Sequence, residues 1–286
     1  MSKSAVFFSL TKARLALSVV FSSIAGYILA VENFVLNDFI FLILGGYCIV
    51  GASNSFNQII ERDKDLLMDR TKLRPLPTKQ ISTQNAFWMS VILTLLGLFM
   101  LYMINYKTAF FAAVSVFLYT CVYTPLKPIT PLSVFVGAIP GAIPFMLGWV
   151  AATNKFGIEP GTLFMIQFFW QFPHFWALGW MLDGDYKKAG FNMLPTGNRD
   201  KSTALQIILY TIWMMIASVF PVTGLTGLLS LKLGSAIVVF ILGLIVLVLA
   251  INLYNRMDIN SAKKLFYGSI FYLTLIQIVY IIDKFL

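Results

Sequence analysis

An acidic stripe at the end of the second long apolar run is the strongest chemical signal in the sequence. The segment reads NQIIERDKDLLMDRTKLRPLP over residues 57–77. At about 100° per residue, Asn57, Glu61 and Asp65 fall within about 80° of one another on one helix face, and Asp69 lies further round. Three oxygen donors on one stripe suit a hard cation such as Mg²⁺, which usually shares its coordination sphere with a substrate phosphate. The spacing therefore predicts that Asn57, Glu61 and Asp65 form a catalytic metal site.

Basic residues crowd the same loop and are predicted to receive anionic oxygens. Lysine and arginine form charge-assisted hydrogen bonds with phosphate oxygens, and arginine can do so bidentately. An acidic cluster in a basic loop, on a helix that starts at membrane depth, is typical of a metal–polyphosphate site. The Walker pattern of P-loop proteins is absent from the sequence. The alternative is a charged helix end in the lipid headgroup region, where mixed charges are common. The predicted diphosphate-binding residues of this loop are Arg62, Arg70, Lys72 and Arg74.

A second polar segment, QFFWQFPHFWALGWMLDGDYKKAGFNMLP, covers residues 167–195. Gln167, Gln171 and His174 follow i, i+4, i+7 spacing on an otherwise aromatic helix, and Asp185 lies near its end. A second carboxylate group opposite the first would allow two metal ions to hold one diphosphate. His174 is the only histidine. It either makes a hydrogen bond to a neighbouring helix or contacts a porphyrin, and the spacing leaves both possibilities open.

The composition places these motifs in a membrane protein. The chain has 286 residues, of which 59% are hydrophobic and 12% are charged, whereas soluble domains carry roughly 25% charged residues. Those values exclude a disordered chain, a fibrous repeat and an ordinary water-soluble enzyme. Two cysteines without a CxxC spacing exclude a disulfide framework and a thiolate zinc site, and a single histidine excludes a multi-histidine metal centre.

Nine apolar runs are each long enough to cross a bilayer core of roughly 30 Å as a helix. We therefore predict an all-α polytopic membrane protein, with residues 1–286 as one domain, built from two four-helix halves and a ninth helix. Asn105, Tyr106 and Lys107 alone separate the third run from the fourth, which predicts a tight helical hairpin. The predicted spans are 14–31, 38–60, 86–104, 108–124, 132–152, 161–181, 203–222, 230–254 and 264–282.

The distribution of lysine and arginine predicts the orientation. With the N-terminus inside, only four of the 21 basic residues fall in outer segments, and the rest lie on the inner side with both acidic segments. This is the asymmetry of the positive-inside rule. We expect a cytoplasmic N-terminus and a site that faces the cytoplasm. The net charge of +9 then indicates a rim facing anionic membrane lipid or an anionic substrate rather than nucleic acid. The four outer residues are Lys107, Lys155, Lys232 and Lys284.

The two polar segments resemble signatures of the intramembrane prenyltransferases of the UbiA superfamily. NQIIERDKD followed by RTKLRPLP is similar to that superfamily's Asn-x3-Asp-x3-Asp and Arg-Thr-x2-Arg-Pro motifs. WQFPHFWALGWMLDGDYKKAGFNMLP is similar to the branch that farnesylates haem, with its Pro-His-Phe helix and its Asp-Tyr-x2-Ala-Gly loop ending in Met-Leu-Pro. YTPLK at 123–127 fits the same branch. The resemblance extends over about residues 10–280.

The resemblance implies a Mg²⁺-dependent enzyme of the bacterial cytoplasmic membrane. It would transfer a farnesyl group from farnesyl diphosphate to a vinyl group of protohaem IX, giving haem O and diphosphate for haem–copper oxidase biogenesis. The implied partners are these two substrates, anionic membrane lipid, and a downstream haem-modifying enzyme or oxidase assembly factor. The resemblance adds Asp185 to the catalytic metal ligands and Lys127 and Lys187 to the diphosphate-binding residues. It assigns His174 to the haem side, with Gln171 and Trp170 beside it.

Two positions depart from the superfamily pattern. Glu61 stands where aspartate is usual, which keeps the charge but moves the oxygens about one methylene further out. Ala189 leaves the second segment without the Asp-x3-Asp spacing of quinone-type relatives. The alternatives are a quinone-type aromatic prenyltransferase of the same fold, a secondary transporter with membrane-depth acids, and a haem-binding membrane subunit.

Overall fold

Long helices corresponding to all nine predicted runs form most of residues 2–286, the part of the chain that this computed structural model describes. A short N-terminal helix precedes them, and a four-residue helix continues the second of them. The helices are α1 (Lys3–Leu10), α2 (Ala13–Ala30), α3 (Leu36–Ile60), α4 (Arg62–Asp65), α5 (Thr83–Ile104), α6 (Tyr106–Phe117), α7 (Thr124–Leu126), α8 (Ser133–Thr153), α9 (Ile158–Lys188), α10 (Lys201–Val219), α11 (Leu233–Arg256) and α12 (Ile259–Phe285). A π-helical turn, Leu118–Tyr123, joins α6 to α7, and a 3₁₀ turn, Phe220–Thr223, follows α10.

Eight of the long helices are long and apolar enough to cross a membrane, which confirms a polytopic all-α architecture. The exception is α9, which has 31 residues and would extend about 46 Å at 1.5 Å per residue. Its length exceeds a bilayer core, but the polar residues of the second segment and its two terminal lysines make it less apolar than its neighbours. The side of the membrane on which the N-terminus lies and the division into halves stay predictions.

Polar side chains at helix starts explain how the chain reverses in short loops. Asn105 has an extended backbone, and its side chain accepts a hydrogen bond from the Thr108 backbone amide at 2.9 Å. Asn105 is therefore the single residue between the end of α5 and the start of α6. This geometry confirms the tight hairpin. Asn105 Nδ2 also donates to the carbonyls of Val150 and Ala151, which joins the hairpin to the end of α8. Asp200 and Asp258 cap α10 and α12 in the same way.

The most buried of the eight candidate membrane spans is α8, whose apolar span is 78% buried. Glycines allow its neighbours to approach closely: a Cβ at Gly148 would collide with the backbone of α2 at Ser23 and Tyr27. Gly137 packs against the Tyr123 ring and Gly141 against the Gln171 side chain. The GxxxG pair of α8 therefore serves helix packing, as small residues do between membrane helices. The long helices, α8 among them, pack against their neighbours in chain order, and α12 closes the arrangement by contacting α2.

The loops after α3 and α9 meet at one end of the bundle. Lys64 donates a hydrogen bond to the Ala189 carbonyl at 3.3 Å, and the Asn192 amide donates to the Lys127 carbonyl at 3.1 Å. These contacts bring together the ends of α4, α7 and α9. The two polar segments of the sequence therefore form a single region of the folded chain.

Candidate functional site

The acidic stripe is buried. Asn57, Glu61 and Asp65 have exposed fractions of 2%, 5% and 0%. Although α3 ends at Ile60, its hydrogen-bond pattern continues into α4, because the Glu61 amide donates to the Asn57 carbonyl at 2.9 Å and the Asp65 amide to the Glu61 carbonyl at 2.7 Å. The three side chains therefore stay on one face, as their spacing predicts, and that face is turned away from bulk solvent.

Each buried carboxylate has its own cation. Lys127 Nζ lies 2.7 Å from Glu61 Oε1, and Arg74 Nη1 lies 3.0 and 2.9 Å from the two Asp65 oxygens. Burial disfavours the charge on Lys127, but Glu61, together with Tyr119 and Tyr186, more than offsets that effect and raises the Lys127 pKa. Buried charges persist only when they are paired and hydrogen-bonded. The site therefore holds two positive charges in fixed positions beside two acids.

A π-helical turn directs α7 toward the acidic stripe. Pro125 has no N–H and cannot donate to the carbonyl four residues earlier. The helical hydrogen bonds here span five residues instead of four, and the backbone amide and the hydroxyl of Thr124 both donate to the Tyr119 carbonyl. The Thr124 Oγ1 in turn accepts a hydrogen bond from Asn57 Nδ2 at 3.2 Å. Such turns are common at functional sites, and here the turn sets the approach of Thr124 and Lys127 to α3.

Lys12 is a site cation that the sequence motifs do not indicate. Its Nζ lies 3.5 Å from Asn57 Oδ1. Burial lowers the Lys12 pKa to about 7, with further contributions from the positive charges of Arg74 and Lys127. In the sequence Lys12 is one of many inner-side cations, and its only signal is its place directly before the first apolar run. The structure adds it to the buried stripe as a third basic side chain.

Aromatic rings surround the Lys127 ammonium group. The Tyr123 ring centroid lies 4.6 Å from Nζ, and the Phe191 centroid, from the loop after α9, lies 5.7 Å away. Lys64 lies over the same Phe191 ring at 5.1 Å. Rings at these distances stabilise cations through their faces. The site therefore combines acids, cations and aromatic faces from three parts of the chain.

The structure places Asp185 in a second, more exposed cluster. Its two oxygens accept hydrogen bonds from the backbone amides of Asp69 at 3.3 Å and Arg70 at 3.2 Å. Lys188 pairs with both Asp69 and Asp185, and Lys72 pairs with Asp69 at 2.6 Å. The hydrogen bonds from Lys188 and Lys72 hold the Asp69 pKa at about 2. We name these four charged residues, Asp69, Lys72, Asp185 and Lys188, the loop cluster.

The lysines and arginines that are predicted to bind diphosphate have several different partners in the structure. Arg74 and Lys127 reach the buried carboxylates, but Arg62 pairs with exposed Asp63 and donates to Thr83. Lys72 belongs to the loop cluster, the Arg70 backbone amide binds Asp185, and Lys187 pairs with Asp183 at 3.0 Å. Arg62 follows Glu61 directly, so about 100° of helical rotation turns it to another face. A diphosphate-binding role for these four residues stays a prediction.

The donor set of the stripe fits a hard divalent cation. An amide oxygen and two carboxylates are the ligands that Mg²⁺ prefers, and Mg²⁺ usually completes its octahedron with water and substrate phosphates. Within residues 2–286, no group of three or more histidine, cysteine, aspartate or glutamate side chains could hold a metal ion. A metal at this stripe would therefore depend on Asn57 and on oxygens that a substrate brings.

His174 is placed between α9 and α12. Its Nδ1 lies 2.9 Å from Ser269 Oγ, and its ring stacks on Trp170 and Phe266 with centroid distances of 4.5 and 4.7 Å. Trp170 Nε1 donates to the Ser269 carbonyl at 2.6 Å, and Gln171 packs against α8. His174 thus makes the interhelical hydrogen bond that is one of its two predicted roles. Haem binding by His174, Gln171 and Trp170 stays a prediction.

Comparisons with known proteins show the family to which the chain belongs. The model of the UbiA prenyltransferase family matches residues 19–276. A protein of Flavobacterium psychrophilum named protoheme IX farnesyltransferase is 63% identical, over 98% of this chain and 94% of its own. A protein of the same name from Neorickettsia sennetsu is 38% identical, over 97% and 91%.

Solved structures share the fold at low sequence identity. A structure of digeranylgeranylglyceryl phosphate synthase superposes with a TM-score of 0.81 at 18% identity, over 99% of both chains. A UbiA homologue from Archaeoglobus fulgidus, bound to DMAPP and Mg²⁺, superposes with a TM-score of 0.76 at 16% identity, over 98% of this chain and 97% of its own. At these identities the likeness shows the fold alone.

Proposed function

Because the chain belongs to the UbiA prenyltransferase family, we propose that it transfers a farnesyl group from farnesyl diphosphate to a vinyl group of protohaem IX, giving haem O and diphosphate. The observation that carries this proposal is the buried stripe of Asn57, Glu61 and Asp65, with Lys127 and Arg74 fixed against its carboxylates. Full-length relatives named for that reaction support the choice of substrates.

The proposal includes Mg²⁺ as the cofactor. Asn57, Glu61 and Asp65 are the residues of this chain that would hold it. When bound, the ion would neutralise charge on the departing diphosphate. The Mg²⁺ bound with an isoprenyl diphosphate in the Archaeoglobus fulgidus homologue supports this cofactor. Asp185 is the further proposed ligand, and it lies in the loop cluster, where its oxygens accept backbone hydrogen bonds from Asp69 and Arg70.

The chain's own contribution to the chemistry is electrostatic and steric. Arg74 and Lys127 are held before substrate arrives, so they stabilise charge on the diphosphate as the allylic C–O bond breaks without first having to reorient. The farnesyl cation must stay away from water until the haem vinyl group adds to it. A helical bundle within lipid excludes bulk water, and the faces of Tyr123 and Phe191 favour positive charge nearby. Water then adds to the porphyrin-side carbon and releases a proton, which gives the hydroxyethylfarnesyl group.

We place the protein in the bacterial cytoplasmic membrane, with the N-terminus and the site on the cytoplasmic side. The concentration of lysine and arginine on the side of the two polar segments supports this orientation. The same basic rim would face anionic lipid. Haem O is an intermediate for haem–copper oxidases, so a downstream haem-modifying enzyme or an oxidase assembly factor would receive the product.

A direct assay tests the reaction. Membranes containing the protein are mixed with Mg²⁺, haem, farnesyl diphosphate and 4-hydroxybenzoate, and the products are weighed by mass spectrometry. We expect a porphyrin heavier by one farnesyl group and one hydroxyl group, with release of pyrophosphate. Asp65→Asn should abolish it, whereas Asp63→Asn, at an exposed neighbour, should not. Prenylated 4-hydroxybenzoate with unchanged haem would identify a quinone-type enzyme, and ion flux without pyrophosphate release would identify a transporter.

A further inference from the structure

Two buried amides of α3, outside the acidic stripe, hold the turn between α1 and α2. Gln58 Nε2 donates to the carbonyls of Ser9 at 3.3 Å and Leu10 at 2.8 Å. Asn54 Nδ2 donates to the carbonyl of Thr11 at 3.1 Å. Gln58 and Asn54 have exposed fractions of 0% and 2%. Three successive carbonyls of one short turn are thus bound by the helix that carries the stripe.

The residue that follows this turn has an uncommon backbone conformation. Lys12 lies in the left-handed region, with φ 47° and ψ 56°, which costs a non-glycine residue free energy because of its Cβ. Such a conformation persists when its surroundings impose it, and it is concentrated at functional positions. In this protein the hydrogen bonds from Gln58 and Asn54 to the three carbonyls hold Lys12 in the left-handed conformation. As a result, Lys12 Nζ lies 3.5 Å from Asn57 Oδ1.

The charges around Lys12 do not balance. Glu61 pairs with Lys127 and Asp65 pairs with Arg74, and among residues 2–286 no carboxylate lies within salt-bridge distance of Lys12. The buried stripe therefore has three basic side chains for two acids. A partly buried cation beside two others is unfavourable unless an anion joins them. An anion with several oxygens would be bound by all three.

We propose that Lys12 is a further anion-binding residue of this site, and that Asn54 and Gln58 are positioning residues that hold it toward Asn57. The ligand class is a diphosphate ester. This inference rests on the proposed function, since it assigns the prenyl diphosphate to the same stripe. It makes the turn between α1 and α2 a part of the substrate site, although that turn lies 45 residues before Asn57 in the sequence.

Steady-state kinetics of Lys12→Met test the binding role. We expect the KM for farnesyl diphosphate to rise by about tenfold to a hundredfold, the range for loss of a charge-assisted hydrogen bond, with the KM for haem unchanged. Inhibition by inorganic pyrophosphate should weaken by a similar factor, and Lys12→Arg should retain part of the affinity. Arg14→Met is the matched control, because it removes the same charge from an exposed position two residues away and should change neither constant.

A double-mutant cycle tests the positioning role. Gln58→Met should raise the KM for farnesyl diphosphate by about threefold to tenfold in the wild-type background and have almost no further effect in Lys12→Met, because coupled residues are not additive. Ser53→Ala, at a buried hydroxyl that bonds only within α3, is the control for general loosening of that helix.

Three results would overturn the inference: an unchanged KM in Lys12→Met, equal changes in both substrate constants, or additive effects of Gln58→Met and Lys12→Met. These failures are distinct from failure of the proposed function, because each requires that the wild-type protein farnesylates haem. A wild-type protein that makes no farnesylated porphyrin would overturn the function itself.

Discussion

Removing one partner of the Glu61–Lys127 ion pair is expected to destabilise the protein strongly. The two atoms lie 2.7 Å apart, and the side chains are 6% and 10% exposed. At that distance two unit charges attract by about 6 kcal/mol with an effective dielectric constant of 20. Desolvation offsets much of this attraction while both partners are present. A partner left alone keeps its desolvation cost without the attraction, so loss of either one should cost about 3–5 kcal/mol of unfolding free energy.

Four variants measure this coupling. Glu61→Gln and Lys127→Met each leave one buried charge, whereas the double variant leaves none and should recover most of the lost stability. Arg62→Met is the matched control, because Arg62 and Asp63 form an ion pair at 3.5 Å with side chains 47% and 83% exposed. It should change stability by less than about 1 kcal/mol. Unfolding in detergent micelles gives the free energies, and pyrophosphate release gives the activity.

The double variant separates folding from chemistry. It should be folded and inactive, because the charges that bind metal and diphosphate are both gone. Two outcomes would refute the reasoning. In one, Glu61→Gln is no more destabilising than Arg62→Met. In the other, the effects of the single changes simply sum in the double variant, which would mean that Glu61 and Lys127 are not coupled.

Four further changes have definite expected results. Asp65→Ala should abolish Mg²⁺-dependent pyrophosphate release while the amount of membrane-inserted protein, measured by immunoblot, stays normal; full turnover would remove Asp65 from the site. Glu61→Asp keeps the carboxylate and should lower kcat by less than about tenfold. Gly148→Ala should lower the unfolding free energy by at least about 1–3 kcal/mol, because the new Cβ would collide with the α2 backbone. Gly184→Ala is its control and should be neutral or stabilising, because the space at that Cβ is open. His174→Ala should weaken haem binding, measured by optical titration, by about tenfold if its ring contacts the porphyrin, with farnesyl diphosphate binding unchanged; equal losses would assign it to packing.

Helix positions could be predicted from the sequence because a membrane span depends on local properties. Length and hydropathy define each run, and both are visible without knowledge of any contact. The short helix α1 lacks that signal, since only Val6 and Leu10 of its eight residues are buried, against neighbours that include Leu76 and Ala86. Its position depends on the amides of α3, which are distant in sequence.

The acidic stripe could be predicted for a similar reason. Asn57, Glu61 and Asp65 share a face because of helical periodicity alone, and the continuous hydrogen bonds across the α3–α4 junction preserve it. Which cation meets which acid depends on loop conformation. Arg62 is adjacent in sequence and turns away, whereas Lys127 is 66 residues from Glu61 and reaches it. Composition identifies the loop as basic but does not distinguish its members.

The position of Arg74 depends on both of the loops that carry the polar segments. Thr71 donates to the Asp65 carbonyl at 2.8 Å, which begins the return of the first loop toward its own helix. The Asp185 carboxylate holds the backbone of the preceding turn through the amides of Asp69 and Arg70. Arg74 comes directly after this turn in the chain, so the position of its guanidinium group depends on the turn. By holding the turn, the second loop helps to place Arg74 at the buried site. The two polar segments thus act together even though the carboxylates of the stripe and of the loop cluster have separate partners.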